Sequence, residues 1–568
     1  MPPGLCRTGR SCNMLESTLL KGWQDDRLGR EEQKRLLLLS FAAVFFFGLA
    51  AHAYGFLRAG FSHDMLNALV VEPVETYWKM QLGRPGIVLY RRTVRGLIAA
   101  PWMLGLLSLF WLGLAGFLTV KLFRIRSTWF TVLAGGILAA NLSTIAMTAT
   151  FLYEMDADCF GLLLGVLAVL LWDRYRLPGA LLGSLLIAAC ISIYQSMVSV
   201  PVTLIMLLSI AALLRGEAFR PVFRNGLRSI VMLALGGLLY WAGIRVMCSL
   251  KGINLAMGSY NDVGQTAALP LTGRILHTFQ TWAWAFWNPA KSHIEPLVLV
   301  LAVLLPLLAL IPLVRWFCRK DTGPAEKLLL AALTLLLPLG MNTAQLAFTL
   351  DVHDLMKTAF WLFWLFCLLP HFIASESDAA VPGSSASSPL SGASSWQIFK
   401  ARPILRVLSA ALTTLLLCAN IQTANVVYTR KNLEQNATLS LMTRVLTMMD
   451  SNPDYRSGET PLVFVGVSPE LRVRMPGFEA TYDITGCEES SPIEKSLASY
   501  NYNSYAAYFR YILNSPAVMA DTESWNRMQQ DPRVRAMPCF PEEGCMGPVD
   551  DFFIVKMGND SGRAGDDR

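Results

Sequence analysis

The sequence predicts a polytopic α-helical membrane protein of about eleven transmembrane helices, with a small extracytoplasmic α/β domain at its C-terminus. Three observations carry this expectation. Only 16% of the 568 residues are charged, whereas a soluble domain carries about 25%. The apolar residues fall into repeated runs of roughly 20, the length a helix needs to cross about 30 Å of hydrocarbon. Helices also satisfy every backbone group within lipid. Finally, the runs stop near residue 425, and the remaining chain is polar with strand-like stretches.

Taken in order, residues 1–35 are polar and end in Arg27, Arg30, Lys34 and Arg35. Basic residues stay on the cytoplasmic side, so the N-terminus is expected inside and 36–54 to run outward. That first run starts only at Leu36 and is long enough to remain as a span, so no cleaved leader is expected. The segment 55–100 is then an external loop, and 101–120 returns to Lys121, Arg124 and Arg126. The run 129–152 leads out to an acidic turn, and 159–172 comes back to Arg174 and Arg176. The run 179–213 is too long for one span and is basic at both ends, which implies two spans with an external hairpin near Tyr194-Gln195-Ser196. The run 230–247 exits to a second external loop, 250–293, whose Trp282, Trp284 and Trp287 suit an interface. The runs 296–314, 328–348 and 358–374 follow, then a Ser/Gly/Pro/Ala-rich segment, 376–395, expected as a disordered cytoplasmic linker. The run 405–420 makes the last exit.

The domain division is therefore 1–35, 36–424 and 425–568, the last an extracytoplasmic α/β unit with strands at 461–467 and 551–557 and a helix around 500–513. Cys487, Cys539 and Cys545 would face an oxidising space there, where Cys539 and Cys545 can close a short loop. Asn436-Ala437-Thr438 fits a glycosylation sequon. The other cysteines lie mostly in apolar runs and behave as small buried residues. The formal charge of +7 resides in the loops beside the spans and does not point to nucleic acid.

The chemically capable residues collect on the outer face. His63 and Asp64 head a segment whose apolar residues Met65, Leu66, Leu69, Val74, Tyr77 and Trp78 recur at helical spacing. Such a segment lies on the outer leaflet and can hold Asp64 at the water–lipid boundary as a general base toward a sugar hydroxyl; alternatively Asp64 simply complements a helix dipole. Arg84, between Gly83 and Pro85, and the group Arg91, Arg92 and Arg95 place guanidiniums on an outer loop, against the usual charge bias. They suit bidentate phosphate binding or general attraction to anionic headgroups. In the expected turn from Tyr153 through Glu154 to Asp158, Asp156 and Asp158 can hold a divalent metal with substrate oxygens, position a sugar, or stand in solvent. Tyr194 and Gln195 can bind a substrate or one another. Asp262, Asp351, His353 and Asp354 add polar groups outside. The inner loops lack any Gly-rich phosphate cradle, which favours a donor delivered by a lipid over a soluble nucleotide.

An acid just beyond the first helix, Gly83-Arg84 some twenty residues on, the segment Tyr153–Asp158, the hairpin Ile193-Tyr194-Gln195-Ser196 and an outer C-terminal domain together resemble the GtrII-type glucosyltransferases. These are bacterial integral membrane enzymes of the GT-C class. The resemblance covers roughly 36–420. It implies a GT-C-like fold in the cytoplasmic membrane and transfer of a glucosyl or similar residue from a polyprenyl-phosphate donor to a cell-surface glycan such as O-antigen. It also implies Asp64 as the catalytic acid of the first external loop, and a basic site for the donor phosphate formed by Arg84 with Arg91 or Arg92. His63, Tyr153, Asp156, Asp158, Tyr194 and Gln195 would contact substrate. No cofactor is required, and a divalent metal is optional. His63 stands where many relatives would carry a second acid, which departs from a paired-acid mechanism. A lipid-linked-sugar flippase would instead show ionisable residues at mid-span, of which Arg245 and Asn342 are the nearest. A GT-C polymerase or ligase would use a lipid-linked oligosaccharide, and a non-enzymatic envelope protein would reside in 425–568.

Overall fold

The computed structural model describes residues 29–58, 61–62, 65–66, 68–70, 73–255, 270–287, 295–320, 322–347, 352–379, 395–472, 475–484 and 498–559. The expectations placed on His63, Asp64, Asp262, Asp351 and Cys487 lie outside these residues.

Each expected apolar run forms a helix. Arg30–Arg58 is α1 and Pro101–Phe123 is α4. Between them lie two short helices, α2 (Pro73–Gln81) and α3 (Pro85–Tyr90), and a π-helical turn, Arg91–Arg95. The expected span 129–152 is two helices, α5 (Thr128–Ala139) and α6 (Leu142–Thr150). The break is chemical. Asn141 caps α6 by accepting from Thr144 N at 3.1 Å, while Thr144 Oγ1 accepts from Asn141 N at 3.2 Å, a reciprocal arrangement that starts a helix anew.

The acidic turn expected at Tyr153–Asp158 is not a turn. These residues open α7 (Leu152–Ile193), and all six are buried. Cationic side chains from the first loop meet Glu154 and Asp156 there. The 42 residues of α7 are helical throughout, yet the chain doubles back. Gly179 lies against the Leu171 carbonyl, Gly183 stands within reach of the Ala168 carbonyl, and Gly161 meets Ile193. A straight helix would hold residues 161 and 193 about 48 Å apart. The limbs Leu152–Tyr175 and Pro178–Ile193 are thus antiparallel neighbours, with glycines where the backbones touch.

Tyr194 is extended, a 3₁₀ turn follows at Gln195–Val198, and α8 (Ser199–Leu214) and α9 (Phe219–Lys251) continue the body. The Trp-rich loop is partly a 17-residue helix, α10 (Leu271–Trp287), with Trp282 packed on Phe286 and Phe363 while Trp284 and Trp287 are exposed. Then come α11 (Glu295–Phe317), α12 (Pro324–Met341), α13 (Trp361–Ala379) and α14 (Ser395–Asp450). Both ends of the expected linker 376–395 are helical, and 380–394 lies outside the described residues. Among the described residues nine helices are long and apolar enough to cross a membrane, and Pro178–Ile193 and Thr358–Ile373 are shorter apolar helices. Leu and Val side chains of α9, α11 and α14 face outward, as lipid-facing surfaces do.

The expected boundary at 424/425 falls inside α14, which runs 56 residues without interruption. Beyond it, a four-stranded sheet has the order β2-β1-β4-β3: β1 (Pro461–Val465) is parallel to β2 (Val518–Met519) and β4 (Phe552–Lys556), and β3 (Met546–Val549) is antiparallel to β4. Side chains alternate across it. Leu462, Phe464, Phe553 and Val555 pack with Tyr505 and Phe509 of α15 (Ala498–Tyr511) and with Met442, Val445 and Met449 of α14. Val463, Val465 and Ile554 pack on Trp525 and Met528 of α16 (Thr522–Gln530) and on Val534 of α17 (Pro532–Ala536). Leu66 of the first loop is fully buried in the α14-facing cluster, and Gln435 Nε2 donates to Phe61 O at 3.0 Å.

Two local expectations are corrected. Cys539 and Cys545 are free thiols: Cys539 Sγ bonds Asn559 Oδ1 at 3.3 Å while Cys545 is buried in the sheet core. The sequon lies inside α14, where Thr438 is 1% exposed and bonds the Glu434 carbonyl at 2.9 Å; its hydroxyl is spent within the helix.

Candidate active site

The first loop turns its charged face inward. On α2, Glu75 and Lys79 are spaced i, i+4 and so share a face; Lys79 is 5% exposed, whereas Tyr77 and Trp78 face out at 46% and 36%. This inverts the soluble pattern and fits a helix with a lipid-side aromatic face. The inner face meets the first turn of α7. Lys79 Nζ stands 2.5 Å from Glu154 Oε1, and Arg91 bridges Glu154 at 2.9 Å and Glu75 at 2.5 Å. Arg95 bonds the Tyr153 carbonyl and lies 3.3 Å from Asp156 Oδ1. Tyr90 accepts from Trp111 Nε1 at 2.9 Å and sits beside Asp156.

Burial disfavours charge on Arg91, but Glu154 and Glu75 outweigh that and hold the guanidinium above its ordinary value. Arg95 goes the other way: burial dominates and Asp156 offsets only part of it. The Tyr90 hydroxyl is pushed up by burial and then by Asp156, so it stays protonated. Four basic and four acidic groups (Lys79, Arg84, Arg91, Arg95; Glu75, Glu154, Asp156, Asp158) thus gather at one end of the helical body.

Arg84 is positioned differently. Gly83 before it has φ +72°, a left-handed turn that glycine adopts without strain, and Pro85 starts α3 behind it. The Gly83 carbonyl accepts from the Tyr240 hydroxyl at 3.0 Å, and Gln195 Nε2 donates to Leu82 O at 2.8 Å. Pinned so, the Arg84 guanidinium lies 4.5 Å from the centre of the Tyr194 ring and its Nε donates to Gln195 Oε1 at 3.2 Å. Arg84 is half-buried, and its charge is felt by both Glu154 and Asp158. Asp158 is 3% exposed, and its Oδ1 has no hydrogen-bond partner among the described residues.

The structure therefore unites Arg84, Arg91, Tyr153, Asp156, Asp158, Tyr194 and Gln195. Arg92, by contrast, is exposed. Asp156 and Asp158 stand two residues apart on a helix, a spacing that turns side chains to different faces, and Asp156 lies 3.3 Å from Arg95. Among the described residues no group of three or more acidic, His or Cys side chains is placed to hold a metal ion. Ser62 Oγ donates to the Thr150 carbonyl at the end of α6 at 2.6 Å, and Met65 is buried in the core. The sequence reading missed Glu75, Tyr90 and Tyr240 and gave Lys79 no role; the i, i+4 spacing of Glu75 and Lys79 was the available signal.

Among curated proteins nothing matches this chain. Among solved structures, ArnT from Cupriavidus metallidurans bound to undecaprenyl phosphate is similar at 12% identity, over 87% of this chain and 90% of that one, with a TM-score of 0.28; so distant a likeness carries no argument about fold or ligand. The family model of the glucosyl transferase GtrII matches residues 54–370, which takes in the whole charged cluster and more than half of the sequence, and the chain belongs to that family of glycosyltransferases.

Proposed function

We propose that this membrane glycosyltransferase moves a glucosyl or similar residue from a polyprenyl-phosphate donor to a cell-surface glycan, at the outer face of a bacterial cytoplasmic membrane. The observation that carries it is the setting of Arg84, a guanidinium held by Tyr194 and Gln195 at the edge of a buried charge cluster. Guanidiniums bind phosphate through paired N–H donors and carry a fixed positive charge to it. The N-terminus is inside and the sheet-bearing tail outside in this arrangement, since the basic residues flank the opposite ends of the spans.

Asp64 takes the proton from the acceptor hydroxyl as that oxygen attacks the anomeric carbon. The bond from that carbon to the phosphate oxygen breaks, and its electron pair leaves with the polyprenyl phosphate, whose charge Arg84 neutralises. Attack and departure on opposite faces invert the anomeric centre. Arg91, bound to both Glu75 and Glu154 and 1% exposed, acts by positioning this wall of the site. Tyr194 and Gln195 orient Arg84, and Asp158 offers a carboxylate oxygen to a sugar hydroxyl. No step requires a metal, and the partners are the lipid-linked donor, the glycan and the surrounding lipid.

Purified protein with lipid-linked sugar and acceptor glycan tests this. Asp64→Asn should lower kcat by about 10²–10⁴, the usual share of a general base, with unchanged yield of folded protein; full activity removes Asp64 from the reaction. Arg84→Ala should raise the donor requirement more than tenfold, roughly the loss of one charged hydrogen bond. An unchanged donor dependence leaves Arg84 only a packing role.

A further inference from the structure

Apart from the Arg84 cluster, the helical body holds a cavity lined by aromatic and aliphatic side chains with a few polar groups among them. Phe286 of α10, Asp354 and Lys357 from the turn before α13, Trp361 and Trp364 of α13, and Asn420 of α14 are among the residues that line it. Asp354 and Lys357 are 1% and 7% exposed and pair at 2.9 Å. Ser143 Oγ donates to the Asp354 carbonyl at 2.7 Å, and Asn420 gives its amide N–H to Ala140 O at 2.9 Å. Ionisable groups inside a membrane body mark a functional site far more often than packing. Trp361 is 3% exposed, and its indole Nε1 has no hydrogen-bond partner among the described residues. A buried N–H of this kind normally has an acceptor.

The wall chemistry defines the occupant. Lys357 is already neutralised by Asp354, so the cavity does not select an anion, and a phosphate would meet the Asp354 carboxylate. An isoprenoid chain would leave the Trp361 N–H unsatisfied. Flat aromatic faces combined with a carboxylate, an ammonium and an indole donor suit a molecule with an apolar ring face and a rim of hydroxyls. We propose that this cavity binds a pyranose ring of the acceptor glycan, with Asp354 and Trp361 Nε1 as hydroxyl partners and the aromatic side chains as the stacking surface. The short helix α6 joins it to the charged cluster: Ser143 in its first turn holds Asp354, and Thr150 at its end accepts from Ser62. Nine residues of helix span about 13 Å, so the sugar held there is not the one being modified but a more distant unit of the same chain. The assignment to the acceptor rests on the proposed function; the binding of a sugar does not.

Intrinsic tryptophan fluorescence of the purified full-length protein, titrated with the methyl pyranosides of glucose, galactose, mannose and rhamnose, tests the cavity. Saturable binding of at least one is expected, weakened about tenfold in Trp361→Phe and in Asp354→Asn, as for loss of one hydrogen bond to a hydroxyl, and unchanged in Arg84→Ala. No saturable binding, binding unaffected by both cavity variants, or inorganic phosphate binding in place of the sugars overturns it. In transfer assays Trp361→Phe should raise the KM for the acceptor glycan at constant kcat and constant donor KM. A rise confined to the donor KM overturns the acceptor assignment. Wild-type protein that binds a glycoside at this cavity but transfers nothing from a lipid-linked sugar supports the cavity while overturning the proposed reaction.

Discussion

Glu154 carries the heaviest electrostatic duty of any single side chain in the cluster. It is 5% exposed and stands against both Lys79 and Arg91. Two buried cations sharing one carboxylate lose most when it is neutralised, because their own desolvation has already been spent. Glu154→Gln should destabilise the protein by about 3 kcal/mol, the scale for breaking a buried pair, seen as a lower melting temperature in detergent. Adding Lys79→Met should recover part of the loss, since Arg91 keeps Glu75 at 2.5 Å. The sequence displayed these residues as an acidic turn and a separate basic loop. Their pairing was illegible because Lys79 and Arg91 meet Glu154 only through the fold, many turns of helix away in the chain. Arg84, Tyr194 and Gln195 were more legible, since a Gly-Arg-Pro turn and a tight hairpin each limit what the backbone can do.

At the level of elements, the approach of α3 to the end of α7 sets where Arg84 sits. A Cβ on Gly86 would stand 2.9 Å from Ile193 Cγ1 and 2.9 Å from the Ser192 carbonyl carbon, too close for any side chain. Gly86→Val should push α3 outward and reduce transfer by more than tenfold while leaving the other spans folded; a 1 Å misplacement of a catalytic group is worth roughly 10²-fold in rate. Activity equal to wild type would show that Arg84 tolerates the displacement. The break at Tyr194, between the second limb of α7 and α8, falls where basic residues at both ends of one long apolar run implied two helices. The break at Asn141 was not legible, because its capping partner Thr144 lies within an otherwise continuous apolar stretch. Asp354 was noted only as an outer polar group and Lys357 not at all, because charges flanking the start of an aromatic helix look like an ordinary loop.

For the whole molecule, the proposed orientation has a direct test in single-cysteine versions of the protein. Cys318 is exposed beside Arg315, Arg319 and Lys320 at the end of α11, and Cys539 is partly exposed near the sheet. A membrane-impermeant maleimide should label Cys539 in intact spheroplasts and Cys318 only after permeabilisation; the reverse pattern would put the charged cluster on the cytoplasmic side and end the proposed reaction.

The apolar helices of the membrane body were readable from hydropathy, which acts locally. The tail's attachment was not, because polarity changes at 425 whereas the helix does not. His52 Nδ1 lies 2.7 Å from the Tyr428 hydroxyl, so residues beyond that compositional border still belong to the bundle. At 1.5 Å per residue, the 56 residues of α14 form a shaft of about 84 Å. A shaft transmits rotation, which a tether does not. One alanine inserted between Asn436 and Ala437 would swing the sheet by about 100° about the helix axis, whereas four would return it to within about 40° of its original bearing at a greater height. Leu66, clasped between the shaft and the sheet, would be wrenched free by the first change and largely restored by the second, so the rotational setting of the shaft decides whether the first loop keeps this anchor.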